Sequence, residues 1–588
     1  MALSEKSKAH DICPSPTESD TSHFDPSEIE QPSWKPTTRE WLLMGTLGFI
    51  SFVISLDATI LVTVLPVGNL SSSTDVSTDH SAQKIASSLD GSPVEASWAG
   101  TSYLLTSAVL QPLIATISKS YGRQQLLVAS ITLFTLGNLM CALARAFPLL
   151  LAGRSVQGAG GGGVTTMAQV IFCDIVPLRQ RPKYFSVVLG AWSVGSILGP
   201  VAGGLLVERL TWRWCFHINF PFCGIGLFTA LSLVRTQSER GSSVVRRTND
   251  VDWLGAFMFV GSLTACLVGI SWGGIQFPWT SPATLVPIAL GSLCLAIFFM
   301  RKEVSVTLES GRICFARRAS STQPTHFLST IKGGWGMAAA LYCALANGLI
   351  LFTALYYLPL YQMAVLGATS IQAGIGLFPA VCLLVPTAAI TAFLITRYGQ
   401  YKWAIWLGWI VTTFACGLFV LFDNETSGVA FAFILALFGI GNGMVLTGVN
   451  TSVQAMAVHN DPAMAASMYG SMRSLGMPLG VALSATIYQN TLLIKASTGS
   501  TFQGLNTTGP ATDQTLAFRV SAVRMVFIMM ASVSASALVA SFAIKRTSIT
   551  ETIPDDDAGS ESNGSTSARR GQMQARAWPV DPDHCCSS

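Results

Sequence analysis

VGSILGPVAGGLL, residues 194–206, lies inside an apolar run long enough to cross a membrane. Proline is the poorest residue for a helix interior and glycine the next poorest. This run nevertheless gathers Gly195, Gly199, Pro200, Gly203 and Gly204 into three turns. Glycines four residues apart line one face and let a second helix approach closely within lipid. Pro200 removes a backbone hydrogen bond near Ser196 and is expected to bend the helix there. Packing alone accounts for any single glycine. The whole string points to a helix built for close contact and bending.

The rest of the chain fits such a helix. Of 588 residues, 50% are hydrophobic and 11% charged, against about 25% charged in an ordinary soluble domain. Fourteen apolar stretches of about twenty residues, the length needed to span a bilayer, run from 41–66 to 522–544. The expected fold is therefore all-α and polytopic. The polar first forty residues do not read as a cleavable signal peptide, so the first spanning helix is expected to serve as the targeting element.

The placement of charge orients the chain. With fourteen spans, 26 Lys and Arg residues fall in the two tails and alternate loops, against six on the opposite face. Cytoplasmic loops carry the Lys/Arg excess, so both termini are expected to be cytoplasmic. Residues 1–40 and 546–588 are too polar to build a core and are expected to be disordered tails. Between them the reading gives a six-helix half (41–235), an inserted helix pair with cytoplasmic linkers (236–333) and a second six-helix half (334–545).

Three internal matches support two homologous halves. ISKSYGRQ (117–124) pairs with LITRYGQY (394–401), placing Gly399 277 residues after Gly122. QGAGGG (157–162) pairs with FGIGNG (438–443) at an offset of 281, and LGPVAG (198–203) with GMPLGV (476–481), where Pro478 follows Pro200 by 278. Parallel repeats of this kind belong to transporters whose site lies between the halves.

Several strings also carry a family resemblance. The 194–206 run resembles the antiporter signature in the fifth helix of major facilitator transporters. LDATILVTVLP (56–66) is similar to the first-helix signature of the fourteen-helix drug:proton antiporters, and LLAGRSVQGAGGGG (150–163) to the fourth-helix motif, with Arg154 at its fixed arginine. WRWCFHINFP (212–221) and LYYLPLYQ (355–362) resemble the same group. The resemblance spans roughly 40–545. It implies a major facilitator fold with 6+2+6 helices, and export of drug-like, toxic or secondary-metabolite compounds driven by a proton gradient. It implies no cofactor. The loop after the second helix departs from the family's GxLxDxxGR pattern. Gly122 and Arg123 are present, but Lys119 takes the acidic position and Ala115 that of the first glycine. A charge network there is either rebuilt through Asp174 or Asp461, or absent.

Ionisable residues at membrane depth are functional candidates. Asp57 is the one carboxylate well inside a predicted span, nine residues from Pro66, or about 13 Å below the outer helix end at 1.5 Å per residue. Arg154, six residues into its helix from the same side, lies about 9 Å deep. The two share a leaflet and are expected to pair. One reading makes them a fixed structural pair and the other a proton-coupling site. Leu435 stands near the position of Arg154 in the second half, so the charges are asymmetric.

Other patterns carry less. Gly158, Gly160 and Gly163 match GxGxxG by count but follow a helix instead of a strand, so they are not a dinucleotide loop. No Gly-Lys pair exists for a phosphate-binding loop, and neither the 13 cysteines nor the seven histidines show metal spacing. Trp212, Trp214, Trp272 and Trp279 sit at expected outer helix ends and read as interface anchors. Asn69, Asn424 and Asn506 begin N-x-S/T sequons on the outer side.

The expected partners are a small organic substrate, protons and the bilayer, with no nucleic acid, and the chain is expected to be monomeric in the cell membrane or the vacuolar membrane. No nucleophile, metal or cofactor constellation suggests an enzyme. Proton-coupled uptake of a nutrient or metal chelate, and a non-transporting sensor, are the alternatives.

Overall fold

The computed structural model describes residues 35–61, 88–89, 93–234, 253–274, 276–312, 334–457, 462–498 and 513–545. Asn69, Asn506 and nearly all of both tails fall outside them, as does the side chain of Lys119. The described chain is almost wholly helical. Its helices are α1 (Thr38–Ile60), α2 (Pro93–Tyr121), α3 (Arg123–Ala142), α4 (Phe147–Ile175), α5 (Arg181–Arg209), α6 (Trp214–His217), α7 (Asn219–Leu233) and α8 (Trp253–Trp272). The second part of the chain continues with α9 (Pro282–Arg312), α10 (Trp335–Ala364), α11 (Ser370–Gly376), α12 (Phe378–Tyr398), α13 (Lys402–Phe419), α14 (Gly428–Met456), α15 (Pro462–Thr498) and α16 (Asp513–Ser541).

Local chemistry sets several boundaries. Thr37 caps α1 in a reciprocal box with Glu40, and Thr369 does the same for α11 with Gln372. Two stretches expected as single spans are each a pair of consecutive helices. The first breaks at Ile218 and the second at Leu377, where Pro379 occupies the first turn of α12, a position whose missing N–H costs nothing. By contrast α5 runs through Pro200 without a break.

Among the described residues nine helical segments are long and apolar enough to cross a membrane. Three helices on expected spans, α2, α4 and α15, are not among the nine, and α8 and α9 contribute shorter apolar stretches. Glycine and polar residues dilute α4, which carries Gly158, Gly160–Gly163, Arg154, Gln157 and Gln169. Its partners explain this. α4 lies between α2 and α3 and also touches α15, so small and polar residues meet protein where the outer helices present Leu136, Phe257, Phe393 and Phe414 to the surroundings.

The packing pattern repeats. α1 packs along α5 as α10 packs along α15; α4 sits between α2 and α3 as α14 sits between α12 and α13. Across the boundary α2 meets α15, and α5 meets α12. The loop repeat has a backbone cause as well. Gly122 (φ 94°), before α3, and Gly399 (φ 67°), after α12, both adopt the left-handed conformations that side chains resist. α8 and α9 pack on each other, with α8 reaching α2 and α15.

Candidate functional site

The glycine run of α4 brings three helices together. A Cβ on Gly158 or Gly162 would strike the backbone carbonyls of Tyr103 and Ser107 in α2, and one on Gly160 the backbone of Phe134 in α3. On the facing side, a Cβ on Gly137 would strike the backbone of Gln157. Bare backbone on both helices therefore sets Asn138, beside Gly137, against Gln157, one turn from Arg154.

Asp57 completes this cluster from α1 and is fully buried. Arg154 Nη1 donates to Asp57 Oδ2 at 3.0 Å. Its second carboxylate oxygen, Oδ1, accepts from Gln157 Nε2 at 2.8 Å and from Asn219 Nδ2 at 2.7 Å. Both amides also donate to Asn138 Oδ1, at 2.8 and 2.9 Å, while Asn138 Nδ2 donates to the Phe134 carbonyl. Arg154 spends its other contacts on Gln157 Oε1 (2.6 Å) and the Ala99 carbonyl (3.0 Å). The guanidinium stacks over Tyr103, 4.4 Å from the ring centroid, with Phe216 at 5.9 Å. Four helices, α1, α3, α4 and α7, thus supply one buried charge pair and three amides, with α2 and α6 closing over Arg154. Within it the Tyr103 hydroxyl and Asn219 Oδ1 make no hydrogen bond to a described residue.

The helix-5 glycines serve the same centre. Added Cβ atoms on Gly195, Gly199 and Gly203 would strike Phe52, Thr59 and Ile60 of α1, so this stripe seats the helix that carries Asp57. Ser55 and Ser196 close the seam with a 2.6 Å hydrogen bond. The opposite side of α5 faces the other half. Gly374 of α11 lies against Pro200 and Val201, and Gly190 against Val385 of α12. Gly204 is buried in the same helix.

Residues 47–481 match the family model described as the Major Facilitator Superfamily. The chain belongs to that family. Among similar proteins of this superfamily, the MFS transporter L2 of a Phoma species is 36% identical over 473 residues, covering 80% of this chain and 73% of that protein. The acurin A biosynthesis cluster MFS-type transporter of Aspergillus aculeatus is 31% identical, covering 82% and 81%. The efflux pump FUS6 of Gibberella moniliformis is 30% identical, covering 79% and 77%. Two solved structures share the fold. The human organic anion transporter MFSD10 gives a TM-score of 0.51 at 15% identity, covering 87% of this chain and all of that one. A bacterial homologue of the lysosomal transporter Spinster gives 0.52 at 14% identity, covering 86% and 97%.

In this major facilitator protein, the pairing of Asp57 with Arg154 follows the depth arithmetic, whereas Gln157, Asn138 and Asn219 were not singled out from the sequence. The usable signal for Gln157 was its place three residues after Arg154, on the same helical face. Asn219 needed the break at Ile218. In the cytoplasmic-loop motif, Arg123 Nε donates to Asp174 Oδ2 at 3.0 Å and Nη1 donates to Ser118 Oγ. Asp174 is thus the acid that Arg123 meets. Trp212 is no interface anchor: it is 4% exposed and donates to Ser88 Oγ at 2.8 Å. Trp214 and Trp279 are exposed, as is Asn424.

Proposed function

We propose that this chain exports small organic metabolites across a membrane in exchange for protons, with Asp57 as the proton site and Arg154 as its counter-charge. The observation that carries the reading is the Asp57 carboxylate, fully buried and held by one cation and two amides. A carboxylate at this depth has two stable conditions, ionised against Arg154 or protonated and neutral. Protonation removes the charge that draws Arg154 to α1. Arg154 then keeps Gln157, the Ala99 carbonyl and the Tyr103 face, all on α2 and α4. α1 thereby loses its ionic tie to α4, keeping only the Gln157 amide contact there, while still seated on α5. Because α5 also packs on α11 and α12, a shift of α1 reaches the boundary between the halves. One charge crossing 100 mV supplies about 2.3 kcal/mol to drive that exchange.

Relatives named as an efflux pump and as a biosynthesis-cluster transporter support export of metabolites. The repeated packing supports the 6+2+6 arrangement, and the Lys/Arg bias supports tails facing the cytoplasm; the reading takes the carrier as a monomer in the cell membrane. On this reading the chain is a carrier and not an enzyme.

Accumulation of candidate compounds in cells with and without the protein, repeated with a protonophore, tests the function. Lower accumulation that returns to control when the gradient collapses is the expected result. Gradient-driven uptake would identify an importer, and no flux a sensor. Orientation has its own test. Glycosidase-sensitive glycan is expected at Asn506, and at Asn69 or Asn424 where the transferase reaches them, and glycan at Asn563, whose N-G-S sequon lies in the C-terminal tail, would overturn cytoplasmic tails.

A further inference from the structure

The proton site leaves two buried cations unused, Arg181, whose guanidinium donates to the Val176 and Cys173 carbonyls, and Arg473. Arg473 of α15 is 9% exposed, and it makes no ion pair with a described residue. Its Nε donates to Asn347 Oδ1 of α10 at a long 3.4 Å, and its Nη2 has no hydrogen-bond partner among the described residues. Its guanidinium lies 4.6 Å from the ring centroid of Trp192, which belongs to α5 in the other half. The contrast with Arg154, which has a carboxylate, an amide and a carbonyl, is plain. A guanidinium stays charged at any working pH, and a buried charge without a counter-charge is expensive.

We propose that Arg473 is the anchor for an anionic substrate, an organic compound bearing a carboxylate or another delocalised oxyanion on an apolar body. This rests on the reading of the chain as an exporter and adds the charge of what it carries. Three observations converge on the point. The cation has unused donors in a planar fork suited to two oxygens. It bridges the two halves, α15 to α5, where a carrier of this architecture takes its cargo. The ring it stacks on, Trp192, is one helical turn from a cleft. This small cleft, no larger than a single water, is lined by Arg181, Phe185 and Leu189 of α5 and by Thr447, Asn450 and Gln454 of α14. Trp192 follows Leu189 by three residues, about 4.5 Å along the helix. On the proposed orientation this cleft opens to the cytoplasm, the side from which export starts.

Arg473's own contacts carry no charge, and Arg181 in the cleft lining is held by the Val176 and Cys173 carbonyls. Arg473's side-chain contacts, Asn347 of α10 and Trp192 of α5, are neutral, and its neighbour Ser474 accepts a hydrogen bond from Gln111 of α2 at 2.8 Å. Gly348 is part of the design. A Cβ there would strike the Arg473 carbonyl, so the glycine lets α15 lie tight on α10 and holds the guanidinium beside Asn347.

The test uses three radiolabelled probes with one ring system and three charges: 2-naphthoate, 2-naphthamide and 2-naphthylmethylammonium. Equilibrium binding is measured on the full-length protein in nanodiscs, with thermal melting of every variant. The wild type is expected to bind the carboxylate about tenfold or more tighter than the amide, the gain of one charge-assisted bidentate contact. Arg473→Gln should bring that ratio to about one, with amide affinity changed by less than about twofold. Arg473→Lys should keep most of the preference. Asn347→Leu removes the one neutral acceptor and should leave the ratio at or above the wild-type value, which preserves the test if the glutamine variant does not fold. Equal binding of carboxylate and amide by the wild type, or a preference that survives Arg473→Gln, overturns the proposal. Flux is read separately. Selective naphthoate binding without transport of any compound would remove the exporter reading and leave the anion site standing, whereas proton-driven export with no carboxylate preference would do the reverse.

Discussion

The two halves share a scaffold and differ in charge. Gly158, Gly160 and Gly162 of α4 have counterparts in Gly439, Gly441 and Gly443 of α14, and the uses match. Gly439 and Gly443 face α12 backbone as Gly158 and Gly162 face α2, while Gly441 faces α13 as Gly160 faces α3. At the same offset of 281, Arg154 becomes Leu435 and Gln157 becomes Phe438. Both replacements are buried, and Phe438 packs on Phe419 with ring centroids 5.3 Å apart. Among the second half's polar contacts is the neutral pair Asn347 and Asn442, 3.0 Å apart, with Arg473 beside it. Close helix approach is kept twice because either half needs it to pack. Among the described residues the buried carboxylate–guanidinium pair appears once, which is what the proposed proton site requires and a packing device does not.

The sharpest way to break this contrast is Asp57→Asn. The amide keeps size and hydrogen bonding but cannot change charge. Substrate binding and membrane insertion should persist, while uphill export in proteoliposomes under an imposed pH gradient should disappear. At 100 mV one coupled proton sustains roughly 50-fold accumulation, so the loss is large. Arg154→Gln should lose coupling too and be less stable by about 3–5 kcal/mol, since it leaves a buried carboxylate without its cation. The double variant should melt above Arg154→Gln and transport no worse. Uphill export at the wild-type rate by Asp57→Asn would make the pair structural and the asymmetry a matter of packing.

A second comparison sets Gly203 against Gly480. The first meets the Ile60 carbonyl of α1, the second the Leu349 carbonyl of α10. The sequence pointed to a stripe built for close helix contact without saying which helix it meets; the structure places it inside one half, beneath the helix bearing Asp57. Ala at either position overpacks a seam and should lower stability by about 1–3 kcal/mol. Only Gly203→Ala should also lower the ratio of substrate exported to proton taken up, because it displaces α1. Gly203→Leu should do both more severely. Equal coupling defects in the two alanine variants would mean that the seams, and not the charge pair, transmit the motion.

How much was legible follows from the physics of each feature. Apolar length and Lys/Arg bias are carried by long stretches, so the helices were readable. Charged residues in such stretches stand out, and Asp57 and Arg154 could be paired from depth alone. Asn138, Gln157 and Asn219 could not, because amides are ordinary in membrane helices and their meeting depends on glycine contacts between helices distant in sequence. The direction of the α5 stripe was hidden for the same reason. Asn219→Leu gauges that unread layer. It takes one donor from Asp57 Oδ1 and from Asn138 Oδ1, and should cost about 1–3 kcal/mol with a partial loss of coupling. No change in either would remove the amides from the site.

The smallest effect is expected at the cytoplasmic end, where Arg123 and Asp174 pair with side chains 28% and 43% exposed. Arg123 begins α3 and Asp174 is next to last in α4, so each sits at the helix end that its charge disfavours. Pairing offsets both penalties and ties the α2–α3 turn to the end of α4. An ion pair this exposed is worth about 0–1 kcal/mol and is screened by salt. Asp174→Asn should therefore lower the melting temperature slightly, less so at high salt, and leave the export rate within about a factor of two. Exchanging the charges, Arg123→Asp with Asp174→Arg, should restore the wild-type value and gain a little from the helix ends. Abolished export in Asp174→Asn, recovered in the exchanged pair, would show a working charge network rebuilt around the acid that Lys119 displaced. The asymmetry between the halves would then extend from the buried centre to the cytoplasmic surface.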